Sequence, residues 1–366
     1  MGAVAAGYLF CFWREQSRPG MRHYFKGMEY LTAHYPVRAE KEWLQGVKED
    51  PAEYHCYEQL GDYYTALLQP QKAAKFYAAA ARRAPGNGSL FLRLAAAERK
   101  SGRPDRARAA ARRAFELLRN DADAAGLYGL LLAESRNRPA ALAALRQAHR
   151  LRPGDHRYFM AMVNTELDTL DFAGAERDLG PYLRSHPRDP DACYMMAVID
   201  NQKPRAAQNL RTAVDFAERA LAGMPADARA YTLLGQLYLD SDQIQDALRV
   251  YMTGRRIAPN SEGMLRGLMD CYTRLGQTNE AASVSATFQQ MLARHDRISH
   301  LTHVMGFNHH NTTAGLELAK LVEADGRYEQ ARAYYEQLAR QAPEDRRTRQ
   351  ALLDFYARMS RRRFMR

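Results

Sequence analysis

Proline stands at positions 51, 85, 153 and 187, on a 34-residue step that only Arg119 interrupts. A stop at a fixed interval constrains the fold strongly, because proline cannot donate the next backbone hydrogen bond and so ends the helix before it. Between two such stops, Tyr57, Leu60, Gly61 and Tyr64 form one group, and Ala73, Tyr77 and Ala80 form a second. Spacings of three and four put each group on one face of its own helix. The unit is a helix pair. A pair this small cannot bury both faces alone, so neighbouring pairs must stack.

With Tyr54 as position 1, the large and small residues fall at positions 4, 7, 8, 11, 20, 24, 27 and 32. The unit from Ala122 repeats them with Tyr128, Gly129, Leu132, Ala141, Leu145, Ala148 and Pro153, and the unit from His156 has Met162, Val163, Ala175, Tyr182 and Pro187. Pro225 lies 38 residues beyond Pro187, so four residues are inserted, placed most simply in the "NQKPRAAQ" connection. Register resumes with Tyr231, Leu234, Gly235, Tyr238, Ala247, Tyr251, Gly254 and Pro259. Further units start at Glu262 and Thr312, and the first has Gly27, Tyr30, Ala39, Trp43, Gly46 and Pro51. The count is nine.

This pattern resembles the tetratricopeptide repeat over roughly residues 20 to 343. The resemblance implies an all-α, right-handed superhelical solenoid of helix-turn-helix hairpins, in which small residues at positions 8, 20 and 27 let helices approach closely. Insertions are expected near 201–208 and 294–311, the latter as a helix extended to about Val304 and then a loop. Residues 344–366 read as a capping helix and basic tail, with Leu352, Leu353 and Tyr356 on one face. In the unit from Gly88, Ala95, Glu98 and Ala111 replace the usual Gly, Tyr and aromatic, so looser packing is expected there.

Residues 1–19 open with an apolar run, 2–13, followed by Arg14, Arg18 and Arg22. A membrane-spanning helix needs about 20 such residues. The run therefore reads as the end of a longer anchor, a monotopic anchor, or a helix packed on the first repeat. If it spans the bilayer as written, its basic flank puts the repeats in the cytoplasm, and an upstream segment with its own charges would reverse that. The cytoplasm is also the location expected without an anchor.

Nothing in the chain spells a catalytic motif, and nine repeats leave almost no residues for a catalytic domain. No enzyme activity and no cofactor are expected. The four cysteines, Cys11, Cys56, Cys193 and Cys271, are scattered, and the last three fall at small or core positions of the repeat. His300 and His303 lie one turn apart with His309 and His310 following, but no third fixed ligand is evident, and no metal site is assigned. The net charge is +11, concentrated in the third repeat, where Arg82, Arg83, Arg93, Arg99, Lys100, Arg103, Arg106, Arg108, Arg112, Arg113 and Arg119 have few aromatics between them. Base stacking wants interleaved aromatics, so nucleic acid is a weaker expectation than a protein or peptide partner, with an anionic membrane surface the other use for such a face.

In the family, positions 2, 5, 9 and 12 of each first helix face a ligand in a concave groove. That carry-over selects Arg157, Met160 and Asn164; Tyr194; Arg229, Thr232 and Gln236; and Arg266, Asp270 and Thr273. Chaperone-tail adaptors of the family pair lysine at position 5 with asparagine at position 9, and no unit here has both. The expectation is a non-catalytic scaffold that holds a partner segment. Binding of nucleic acid or an anionic surface by the third repeat is the alternative.

Overall fold

The computed structural model describes residues 18–203, 207–308 and 311–363. The apolar run at 2–13, Cys11, part of the inserted connection, His309 and His310 lie outside these. Two compact units divide the chain, Met1–Ser185 and His186–Arg366.

In the first unit the helices are α1 (Pro19–Thr32), α2 (Pro36–Glu49), α3 (His55–Ala66), α4 (Pro70–Arg83), α5 (Gly88–Lys100), α6 (Pro104–Leu117), α7 (Ala122–Glu134), α8 (Arg138–Leu151), α9 (His156–Asp168) and α10 (Phe172–Ser185). The second unit has α11 (Pro190–Gln202), α12 (Ala207–Gly223), α13 (Ala228–Asp240), α14 (Ile244–Ile257), α15 (Glu262–Arg274), α16 (Thr278–Phe307), α17 (Thr312–Ala324), α18 (Tyr328–Gln341) and α19 (Arg346–Arg363). Among the described residues these are nine hairpins and a final capping helix, with no strand. The fold is an all-α repeat solenoid.

Most hairpins are punctuated by the same local chemistry. In six of the nine, the first helix begins at a short polar residue whose side chain accepts from a backbone N–H of the first turn: Asn87 from Ser89, Asp121 from Ala124, Asp155 from Arg157, Asp189 from Ala192, Asp227 from Arg229 and Asn311 from Ala314, at 2.8–3.1 Å. Such a cap satisfies an orphan donor and is worth about 1 kcal/mol. The turn to the second helix passes through one left-handed residue, at His34, Leu68, Gly102, Arg136, Leu170, Asp242, Gly276 and Gly326. Proline then opens α2, α4 and α6, where its missing N–H has no intrahelical role.

Close approach explains the small residues at position 8. A Cβ on Gly61 or Gly235 would sit 2.5 Å from the ring of Tyr77 or Tyr251, the residue sixteen places on. Bulk and hole are paired inside these hairpins, as they are at Gly27 with Trp43 and Gly129 with Leu145. In the third hairpin both members are alanine, Ala95 and Ala111, each 0% exposed, so α5 and α6 close on each other rather than loosening as expected. Glu98 at position 11 is buried too, with Arg103 3.5 Å away.

Of the two insertions, the first takes a form the sequence did not suggest, and the second is the expected helix extension, one turn longer. α12 has 17 residues where most second helices have 14, so most of the four-residue insertion lengthens a helix and does not merely widen its connection. α16 is one helix of 30 residues that runs to Phe307, past Val304. Its extension persists because Ile298 and Leu301, one turn apart, join Leu318, Val322, Tyr335 and Phe355 in the core under the last hairpin and cap.

Candidate partner-binding surface

Nine of the ten residues selected by the family's groove positions keep surface, and one does not. On α9, Arg157 and Asn164 are exposed while Met160 between them is 8% exposed and offers a partner little. Their neighbours Phe159, Met162 and Val163 are buried, which fixes the face that Arg157 and Asn164 present.

In the second unit the selected residues lie on α11, α13 and α15. Arg229, Gln236, Arg266 and Thr273 are exposed, and Tyr194, Thr232 and Asp270 are half-buried. α13 and α15 run side by side: Arg274 Nη1 donates to the Leu239 carbonyl at 3.3 Å, and a Cβ on Gly263 would meet Thr232 at 2.6 Å. The 34-residue step thus becomes a row of side chains repeated from one first helix to the next.

The row is pre-ordered by local partners. Arg229 donates to Asp227, its own helix cap, at 2.7 Å, and its guanidinium lies 5.3 Å from the Tyr194 ring centre. That guanidinium holds the Asp227 carboxyl below the usual carboxylate range, while burial pushes the Tyr194 hydroxyl up. Arg157 and Asp155 repeat the cap arrangement at 2.8 Å. Arg266 pairs with Glu262 at 2.8 Å and sits over the Phe288 ring, Asp270 accepts from Arg274 at 3.0 Å, and Gln236 donates to Asp240 at 3.1 Å. Thr232 and Thr273 spend their hydroxyls on the carbonyls of Ala228 and Met269. An arginine held by one bidentate carboxylate keeps other N–H donors for a ligand.

Other candidates resolve into structural roles. Cys56 and Cys271 are 0% exposed, and burial pushes their thiols up to about 12 and about 11. A thiol that resists ionisation is a poor nucleophile. His295 pairs with Asp325 at 3.2 Å, and His303 stands edge-on to Phe307. In the third repeat, Arg93 pairs with Asp62, Arg99 with Glu134, Arg108 with Asp105, and Arg112 and Arg113 with Glu116, all within 3.4 Å. Much of its positive charge is already answered by carboxylates.

Reading the sequence missed three features: the left-handed turn residues, the polar caps, and buried acids at position 11. The caps had a legible signal, since Asn or Asp recurs at 87, 121, 155 and 189, one place before each first helix. For the acids, Glu98, Glu166 and Asp200 stand where other hairpins have Tyr30, Tyr64, Tyr238 and Tyr272.

A family model described as "Tetratricopeptide repeat" matches residues 205–263. No curated protein matches the chain. Among solved structures, PilF of Pseudomonas aeruginosa is 21% identical, with 59% of this chain and 96% of that one covered and a TM-score of 0.49. PilW, described as a type IV pilus biogenesis factor, is 20% identical over 59% of this chain and 98% of its own, at a TM-score of 0.49. YrrB, described as having an unusual peptide-binding site, is 21% identical over 49% and 92%, at 0.45. The period of the hairpins and the hole-and-bulk pairs inside them agree with the tetratricopeptide-repeat pattern, and the family model itself matches the stretch that spans α12–α14.

Proposed function

We propose that this protein is a non-catalytic scaffold that holds an extended or helical segment of a partner protein along the first helices of its repeats, tethered to a membrane through its N-terminal apolar run. One observation carries the reading. On α9, α13 and α15 charged and amide side chains stay exposed at the repeat's own spacing, while the residues beside them are buried. Such a surface offers amides for a partner's backbone and guanidinium groups for its carboxylates. Reading the third repeat as a nucleic-acid face is disfavoured, because its arginines are so widely paired.

The test is a crosslinked pull-down from the native source, done separately on membrane and soluble fractions, with wild type beside the triple variant Asn164→Ala, Gln236→Ala, Arg266→Ala. All three positions are exposed, so the melting temperature should hardly move, at a cost within about 0.5 kcal/mol each. Binding should drop by on the order of 1 to 3 kcal/mol for each desolvated hydrogen bond lost. Equal capture by both proteins would refute the recognition surface. A full-length protein that stays in the soluble fraction at low salt would refute the tether.

A further inference from the structure

The alanines of the third repeat leave room on the other side of α5. A cavity of about 230 Å³ opens there, lined by Tyr77, Ala96, Ala97, Thr65, Leu68 and Pro70, with Arg93 and Lys100 at its edge. Its wall is almost wholly apolar.

The sequence explains why it lies there. Ala96 and Ala97 occupy positions 9 and 10 of their repeat. The other first helices place Met28, Asp62 and Tyr63, Leu130 and Leu131, Asn164, Val198 and Ile199, or Gln236 and Leu237 at these positions. Only α5 has alanine at both. The opposite wall is rigid, because the Tyr77 hydroxyl donates to Asp62 at 2.6 Å and its ring is 2% exposed. Leu68, at the rim, is 83% exposed in a left-handed turn. Apolar surface held open beside a fixed ring favours a guest side chain, since burying a leucine-sized group is worth roughly 1.5 to 3 kcal/mol.

Charge selects the guest's neighbour. Both charged lining residues are cations. Arg93 is already held by Glu58 at 3.0 Å and Asp62 at 2.7 Å. Lys100 has no ion-pair partner among the described residues, and it is exposed. We infer that this pocket is a specificity subsite for a partner segment that carries a leucine-sized apolar side chain next to an acidic residue: the apolar group fills the space over Ala96 and Ala97, and the carboxylate pairs with Lys100. The inference takes from the scaffold reading only that the ligand is a peptide. It does not depend on the exposed residues of α9, α13 and α15, and a failure of the triple variant leaves it standing.

The experiment is saturation-transfer NMR on the full-length chain with three probes: acetyl-Leu-Asp-amide, acetyl-Leu-Asn-amide and acetyl-Ser-Asp-amide. The leucine methyls of the first should receive saturable transfer, the asparagine probe should bind several-fold more weakly, and the serine probe should show none. Ala96→Leu fills the space and should weaken the aspartate probe about tenfold or more, a loss of one buried apolar group. Lys100→Gln, at an exposed position, should erase only the difference between aspartate and asparagine. Thermal melting checks that Ala96→Leu folds, and Lys100→Gln supplies the decisive comparison if it does not. Absent transfer, transfer undiminished by Ala96→Leu, or equal binding of the aspartate and asparagine probes to wild type would each overturn the proposal.

Discussion

The hairpins α13/α14 and α9/α10 share a length, a capping aspartate and a left-handed turn, yet they solve the same packing problem with different chemistry. In α13/α14 the ring of Tyr251, 1% exposed, is wedged between Gly235 of its own hairpin and Gly267 of the next. Position 11 is Tyr238, whose hydroxyl donates to Glu218. In α9/α10 the wedge is Leu179, and position 11 is Glu166, a fully buried carboxylate. Arg146 Nη2 donates to its Oε1 at 2.8 Å, and Oε2 meets no donor among the described residues. Burial pushes the Glu166 carboxyl up, against the downward pull of Arg146. Glu98 with Arg103 and Asp200 with Lys203, at 3.5 and 2.7 Å, are of the same kind. The period specifies where a side chain must fill space. It does not specify whether shape or an ion pair fills it.

The largest expected effect tests the wedge. Tyr251→Ala should cost about 3 to 5 kcal/mol, because Gly235 and Gly267 have no side chains with which to refill the hole. Leu179→Ala should cost less, about 2 to 4 kcal/mol, since the removed volume is smaller. Chemical unfolding of the two variants under one set of conditions checks the order, and a larger loss at Leu179 would break the distinction.

The buried acid gives the next effect. Arg146 is 40% exposed, so removing its partner returns that cation to water and does not strand it. Glu166→Leu should therefore stabilise the fold by roughly 1 to 3 kcal/mol at neutral pH. The folded-state pKa of Glu166 lies above its unfolded value, so the native state binds the extra proton in between. Its contribution is most favourable below the unfolded value and is lost as pH rises through the folded one. The gain from Glu166→Leu should thus grow from acid to neutral pH in melting curves. A gain that shrinks with rising pH would contradict the desolvation account.

The smallest effect concerns what the two hairpins share. Leu170 and Asp242 both hold the left-handed turn, and Leu170 is also 72% exposed. The conformation costs a side-chain-bearing residue roughly 1 to 2 kcal/mol, and glycine gives part of that back as unfolded-state entropy. Leu170→Gly should raise stability by about 0.5 to 1 kcal/mol in the same unfolding assay. A loss would show that the leucine side chain makes contacts worth more than the strain.

The helix pairs, their number and the small and bulky positions were legible because they depend on spacing, and a 34-residue step carries spacing through the whole chain. That Tyr77 fills the place left by Gly61, and Tyr251 that left by Gly235, inside one hairpin was decided by the packing. The candidate surface was less legible. Arg157, Asn164, Gln236 and Arg266 fall on exposed faces, but Met160 is buried by neighbours that no positional rule describes.

What the sequence determined by itself was local: where helices start and stop, and which face of each is apolar, since these follow from one residue's backbone limits and from a period of 3.6. What only the tertiary structure decided was how neighbouring surfaces meet. The alanines of α5 draw α6 close on one side and leave a cavity beside Tyr77 on the other, and a thirty-residue α16 persists because Ile298 and Leu301 find a core to enter. Both outcomes depend on the volume left between elements distant in sequence, and that volume is a property of the packed assembly that no single segment encodes.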